Sequence, residues 1–219
     1  MSHRLFKQRL YAEFSRVGSA LASDRRLELL DLLAQGPRHV EALAKETEMS
    51  VANVSQHLQT LRQAKLVETE RDGTKVRYRL ADKRVLDLWL ALQSVAESRL
   101  AEVDQVKREF AVEGANGAEL TREVLEELVQ RDEVFIIDSR PTIEYEHGHL
   151  PGATSIPIDE LLERLDEIPR DRRIVAYCRG AYCLFADEAV ALLRSRGFDA
   201  HRLEGGWPEW FAEGRPTAP

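Results

Sequence analysis

Sulfur is scarce in this chain: 219 residues hold two cysteines and two methionines. Two cysteines exclude the multiple-disulfide framework of small secreted domains, and a reducing compartment keeps both as thiols unless chemistry oxidises them. Long apolar runs are also missing. The opening "MSHRLFKQRLYAEF" contains none, so no secretory leader is expected. No stretch approaches the roughly 20 apolar residues of a membrane span. The expectation is a soluble, cytoplasmic protein with no membrane partner. The six histidines (His3, His39, His57, His147, His149 and His201) are scattered. They form no set of three or four nitrogen and sulfur ligands, so no metal and no cofactor is expected.

Charge is plentiful and unevenly placed. The net charge is −7. Residues 1–110 carry 19 Lys and Arg against 16 Asp and Glu, whereas the remainder carries 12 against 22. Such asymmetry suggests two domains, the first able to approach a polyanion. The chain is long enough for two small cores.

The first half reads as helices followed by a hairpin. In "SDRRLELLDLLAQGP", Leu27, Leu30 and Leu33 fall near helical spacing, Leu29 and Leu32 widen the apolar face, and Gly36-Pro37 is a stop. "HVEALAKETEM" gives a short helix with Val40, Leu43 and Ala44 on one face. Ser50 caps a third helix, "SVANVSQHLQTLRQA", whose apolar residues are Val51, Val54, Leu58 and Leu61. "LVETERDGTKVRYRL" then alternates around Asp72-Gly73, a strong hairpin signal. A striped helix is predicted from about Lys83 to Phe110, with Leu86, Leu90, Val95, Leu100, Val103 and Val106 needing cover. A partner helix in a homodimer would supply it.

The glycine-containing segment 112–118 is the expected linker between domains 1–111 and 119–219. Beyond it strands alternate with helices: "VFIIDS" a buried strand, "IDELLERLDEI" a helix, "RIVAYC" a strand, "ADEAVALLRSRG" a helix and "DAHRLEGGW" a third strand. That alternation predicts a small α/β domain with a parallel sheet.

Two helices, the second with a polar face, followed by a basic hairpin, make the order of a winged helix-turn-helix. There the second helix enters the major groove of double-stranded operator DNA. Ser50, Asn53, Ser55, Gln56, His57, Gln59 and Thr60 offer short or amide side chains for base edges and phosphates. Arg71, Lys75, Arg77 and Arg79 on the wing suit phosphates. The stretch "SVANVSQHLQTLRQAKLVETERDGTKVRYRL" resembles the recognition helix and wing of the ArsR family of bacterial repressors, over most of residues 15–110. The resemblance implies a homodimer whose terminal helices pack together and whose recognition helices read an inverted repeat. The metal-sensing ligand sets of that family are absent: no cysteine precedes the recognition helix and the last helix has no histidine.

Both cysteines lie in "VAYCRGAYC". Cys178 ends a strand and enters a loop leading into a helix. Successive backbone N–H groups and the helix N-terminus favour anions and lower a thiol pKa there, and Arg179 adds positive charge. "IIDSRPTIEYEHGHLPGATSIP" and "LEGGWPEW" resemble the two signature segments of a single-domain rhodanese, over about residues 119–216. That likeness implies a three-layer α/β fold in which Cys178 carries a persulfide, cradled by the loop Arg179, Gly180, Ala181, Tyr182 and Cys183. Asp138 would organise the loop and Arg140 would lie toward the pocket rim. Glu144, His147, His149, Gly205, Gly206 and Trp207 would be structural.

The loop departs from the common pattern. Glycine stands two residues after Cys178, not three, and the fifth position is Cys183 where Arg or Ser is frequent. Leu184 stands where a phosphatase of this fold keeps its arginine, which disfavours phosphatase chemistry. Cys183 reads equally as a small apolar residue at a helix start or as a thiol that resolves a modified Cys178 into a bridge. Three functions are therefore expected in order: a transcriptional regulator sensing a sulfur donor or oxidant through Cys178, a sulfurtransferase that binds DNA for autoregulation, and a degenerate rhodanese that binds a ligand or partner.

Overall fold

The computed structural model describes residues 2–115, 117 and 119–219. They form two compact units, Met1–Leu92 and Gln93–Pro219. The first contains α1 (His3–Leu21), α2 (Asp24–Ala34), β1 (Arg38–His39), α3 (Val40–Glu46), α4 (Val51–Gln63), β2 (Val67–Asp72), β3 (Lys75–Leu80) and the first part of α5 (Lys83–Arg99). Helical spacing places Leu29, Leu30 and Leu33 of α2, Leu43 of α3, and Val54, Leu58 and Leu61 of α4 in one core. Val51 departs from the expected face of α4 and is exposed. At the first turn of that helix, the Ser50 hydroxyl accepts from the Asn53 amide at 3.2 Å.

The three-stranded sheet has the order β1-β3-β2, all antiparallel. Asp72 pairs with Lys75, so the hairpin loop is Gly73-Thr74, one residue later than Asp72-Gly73. Gly73 has φ +61°, which a side chain at that turn would resist. Two elements carry no clear signal in the sequence. Strand β1 is two residues long, and α1 leaves Phe6, Tyr11 and Phe14 more than half exposed.

The helix predicted over 83–110 is two helices, α5 and α6 (Ala101–Glu109), separated by Leu100 in extended conformation (φ −112°, ψ 106°). Ten residues of continuous helix would hold Glu97 and Lys107 about 15 Å apart. The break lets them meet at 2.6 Å. The compact division falls at Leu92/Gln93, inside α5 and ahead of the boundary expected at residue 111. Asn116 and Ala118 of the expected linker lie outside the described residues, as does Met1.

The second unit continues with α7 (Arg122–Gln130), β4 (Val134–Asp138), α8 (Thr142–Tyr145), β5 (Ala153–Ser155), a 3-10 turn (Leu165–Glu167), β6 (Arg173–Tyr177), α9 (Phe185–Ser195), β7 (Ala200–Arg202) and α10 (Trp207–Ala212). Its sheet is parallel throughout, in the order β5-β4-β6-β7. Period-two alternation gives the sheet two faces. Val134, Ile136, Val175 and Tyr177 pack with Leu125 and Leu128 of α7 and with Trp207 and Trp210. Ile137, Ile174 and Ala176 pack with Ala189, Val190 and Leu193 of α9. The result is three layers. The segment "IDELLERLDEI" is not the predicted helix. Its amides bond three residues back, as in Glu160 to Pro157 and Glu167 to Arg164, and its turns are fixed by burying Leu161 and Ile168.

Candidate functional site

On α4, Ser50, Asn53, Gln56 and Gln59 are exposed, and Ser55, His57 and Thr60 are half-buried. The helix thus offers short polar groups opposite its apolar face. The wing is less open than its sequence suggests. Arg77 lies 3.0 Å from Glu70 and 3.6 Å from Asp72, and Arg79 lies 2.7 Å from Glu68. These two cations face acids on their own hairpin before any phosphate. Arg71 and Lys75 are exposed and have no ion pair among the described residues. The Asp72 carboxylate also meets His39 Nε2 at 3.0 Å, tying the start of α3 to the wing.

The sheet of the second unit presents the C-terminal ends of β4 and β6 side by side, on either side of the point where strand order reverses. Such points are where open α/β sheets place their sites. Cys178 follows β6 directly and is fully buried, while Cys183 is half-buried. Their sulfurs form a disulfide, with the Cα atoms 6.2 Å apart, within the range such bridges span.

Asp138 and Arg140 sit beneath the loop rather than at a rim, both with no exposure. Arg140 Nη2 donates to Asp138 Oδ2 at 2.6 Å and to the Gly148 carbonyl at 2.8 Å. The Tyr177 hydroxyl donates to the same carboxylate at 2.5 Å. Burial, reinforced by the Asp138 charge, holds the Tyr177 phenol well above its ordinary pKa. Burial opposes the Arg140 charge, yet hydrogen bonding to Asp138 raises its pKa above the ordinary value. Asp138 therefore fixes the residue immediately before Cys178.

Glu144 reaches the loop, which sequence reasoning missed. It is buried on α8 and accepts from Arg179 Nε at 2.9 Å. Arg179 is thus matched by an acid and does not offer the loop an isolated positive charge. Two further loop contacts escape a sequence reading because they come from distant elements. Arg202 of β7 donates to the carbonyls of Gly180 (3.1 Å) and Ala181 (2.8 Å) and is anchored by Asp187 at 2.9 Å. Glu209 of α10 faces the loop from the other side: its Oε1 accepts from the Ala181 amide at 3.4 Å. Another loop amide, that of Cys183, donates to the Gly180 carbonyl at 3.2 Å. The expected cradle is thus partly occupied by the chain itself.

Gly206 has a steric role. A Cβ there would lie 2.5 Å from the Gly180 nitrogen and 2.9 Å from its Cα, so the loop backbone can pass only over glycine. The Trp207 amide donates to the Cys178 carbonyl at 3.0 Å across this close approach. On the loop's outer side, Tyr182 is within electrostatic reach of Glu97 near the end of α5, and Lys107 of α6 stands 5.8 Å from the Tyr182 ring centre. Val106, Phe110, Tyr182, Leu184 and Arg202 line a cavity of about 470 Å³ there. No group of three or more His, Cys, Asp or Glu among the described residues could hold a metal ion, and no described helix is long and apolar enough to cross a membrane.

The fold and site define a two-part class: a winged helix-turn-helix joined to a cysteine-loop α/β domain. Comparison with known proteins gives both parts a family. Residues 23–69 match the model of bacterial regulatory proteins of the ArsR family, and residues 121–213 match the rhodanese-like domain. The HTH-type transcriptional regulator Rv0324 of Mycobacterium tuberculosis is 45% identical over 211 residues, 96% of this chain and 92% of that one. A sulfurtransferase of Allochromatium vinosum is 32% identical over 90 residues, 41% of this chain and 82% of its own length. The solution structure of the homodimeric winged helix-turn-helix DNA-binding domain of Mb0332 from Mycobacterium bovis is 46% identical. That likeness covers 46% of this chain and 91% of that one, with a TM-score of 0.43. The chain belongs to the ArsR-family transcriptional regulators that carry a C-terminal rhodanese domain.

Proposed function

We propose that this regulator is a homodimer that binds double-stranded operator DNA and senses a sulfur donor or oxidant at Cys178, with Cys183 as the resolving thiol. The observation that carries the reading is the bridge between the chain's only two cysteines, across a loop whose Tyr182 is within electrostatic reach of Glu97 on α5 and 5.8 Å from Lys107 on α6. With peroxide, the Cys178 thiolate attacks one oxygen, giving a sulfenic acid and hydroxide. The Cys183 thiol then displaces that oxygen as water, closing the disulfide. With a sulfane donor, the Cys178 thiolate takes the outer sulfur to form a persulfide, the donor's sulfur–sulfur bond breaks, and the remainder leaves with the electron pair. The Cys183 thiolate attacks Sγ of Cys178 and hydrosulfide leaves. Either route ends in the same bridge.

Closing the bridge fixes the loop, and Tyr182 carries that constraint to Glu97 on α5 and to Lys107 on α6. The apolar residues that α1 and α5 leave exposed, including Phe6, Tyr11, Phe14, Leu88, Leu92 and Val95, are the surface we assign to a second copy. A loop-driven change at α5 would then alter how two recognition helices are spaced, which is the differential contact that coupling requires.

The test pairs intact mass with DNA binding. The reduced full-length protein is used to select a duplex from a random-sequence pool, then treated with polysulfide or hydrogen peroxide. The expected result is a two-proton mass loss coincident with changed affinity. In Cys178→Ser neither change occurs. Retention of the donor-dependent affinity change in Cys178→Ser would refute sensing at this residue. Catalytic turnover of thiosulfate or polysulfide, with no lasting bridge, would instead favour the sulfurtransferase reading that the Allochromatium relative suggests.

A further inference from the structure

The cysteine loop holds a charge that the proposed chemistry does not use. Strand-to-helix loops of this kind attract anions through their amides. Here the chain places a carboxylate of its own against that loop. Glu209 comes from α10, whose backbone reaches the loop through Gly205 (φ +73°) and the close approach of Gly206. Its Oε1 meets the Ala181 amide and would lie 3.1 Å from a Cβ on Gly180. Its Oε2 is buried with no hydrogen-bond partner among the described residues. The group is therefore oriented by the loop but not satisfied by it.

Nor is the charge neutralised nearby. Glu209 has no ion pair among the described residues. The cation that acts on it, Arg122 of α7, is committed to Glu213 at 2.8 Å. From the loop the titratable group in electrostatic reach is Tyr182. The positive groups closest to the loop are themselves paired, Arg179 with Glu144 and Arg202 with Asp187. An incoming dianion would meet an unopposed carboxylate between the two cysteines' loop positions.

We propose that Glu209 is a specificity-determining residue of the cysteine loop: it slows the dianionic sulfur donor thiosulfate relative to uncharged reagents such as hydrogen peroxide. The inference rests on the reading of Cys178 as the reactive thiol and adds the class of reagent it accepts. With thiosulfate, the Cys178 thiolate takes the outer sulfur. The sulfur–sulfur bond of the donor breaks, sulfite leaves with the electron pair, and a persulfide remains. With hydrogen peroxide the same thiolate breaks an oxygen–oxygen bond, and hydroxide leaves. The two reactions share one nucleophile and differ in the charge that must approach it. Their rate ratio therefore cancels the thiolate fraction and reports the local field.

Burial pushes the Glu209 carboxyl above the ordinary glutamate pKa, so the discrimination should weaken as acid neutralises it. The experiment measures second-order rates of Cys178 modification by time-resolved intact mass, on reduced full-length protein, with thiosulfate and with hydrogen peroxide. In Glu209→Gln the thiosulfate-to-peroxide ratio rises at least tenfold at pH 7.5. In the wild type the ratio rises as pH falls from 8 to 5, and in the variant it stays flat. The wild-type profile stands even where the variant folds poorly. A ratio equal within twofold in both proteins and level with pH, while Cys178 still reacts, overturns the role of Glu209 and leaves sensing intact. Absence of reaction at Cys178 with either reagent overturns both.

Discussion

The two halves of this regulator treat polar side chains in opposite ways. On α4, Asn53, Gln56 and Gln59 are exposed and present their amides to solvent. Around the cysteine loop, Asp138, Arg140 and Glu144 are buried and each is bound by a named partner. A surface that reads another molecule needs unsatisfied groups, which cost little while water covers them. A loop that must hold one geometry needs groups satisfied in advance, because an unpaired buried charge is expensive. Polar side chains thus serve presentation in one half and positioning in the other.

The sharpest way to break the contrast is to unpair the buried side. Asp138→Asn leaves the Arg140 guanidinium without its countercharge and weakens the acceptor for the Tyr177 hydroxyl. Breaking a buried pair in this way costs about 3–5 kcal/mol. Chemical denaturation should show that loss in the second unit, with the first unit's transition unmoved. Next in size is Gly206→Ala, whose added methyl must displace the backbone at Gly180. Overpacking costs about 1–3 kcal/mol, and thiol modification rates at Cys178 should fall with it. Were Gly206→Ala to react at the wild-type rate, the close approach would have no bearing on the loop's geometry.

The contrast also explains which parts are legible in the sequence. Helices α2, α3 and α4, the hairpin and strands β4, β6 and β7 announce themselves through local periodicity, capping and turn residues. So does the placing of Cys178 between a strand and a helix. Glu144, Arg202 and Glu209 are separated from Cys178 by 24 to 34 residues along the chain and meet the loop only because parallel strands bring their C-terminal ends together. The rhodanese resemblance implies a rim position for Arg140; its burial depends on Asp138, Gly148 and the ring of Trp207 all converging on it. The break at Leu100 is hidden because the apolar stripe runs on through it. Periodicity reports which face is apolar, not whether the backbone continues.

On the exposed side the effects are smaller and depend on salt. Removing one cation from a phosphate should flatten the dependence of log affinity on log salt by about 0.9. Arg71→Ala and Lys75→Ala should each do so on a 30-base-pair duplex of random sequence, measured by fluorescence anisotropy. Arg77→Ala should do less, since Glu70 and Asp72 already hold that cation. Glu70→Gln should steepen the slope by loosening Arg77, which keeps only the more distant Asp72 at 3.6 Å. Equal flattening by Arg71→Ala and Arg77→Ala would show that DNA outcompetes the wing's own acids.

The smallest effect concerns Glu209, a carboxyl at the loop that behaves like neither half: it is inward-facing, yet incompletely satisfied. Its folded-state pKa is raised by burial. The folded state therefore binds its proton more tightly than the unfolded chain does. Stability from this source is fully present below the unfolded value near 4.5 and is lost as pH rises through the folded pKa. Glutamine keeps the shape and removes the titration. Glu209→Gln should accordingly unfold later than the wild type in denaturant at pH 8, and the advantage should shrink toward pH 4. An advantage that grows on acidification would mean that the carboxylate is stabilised where it sits, and the loop would then have no reason to turn anions away.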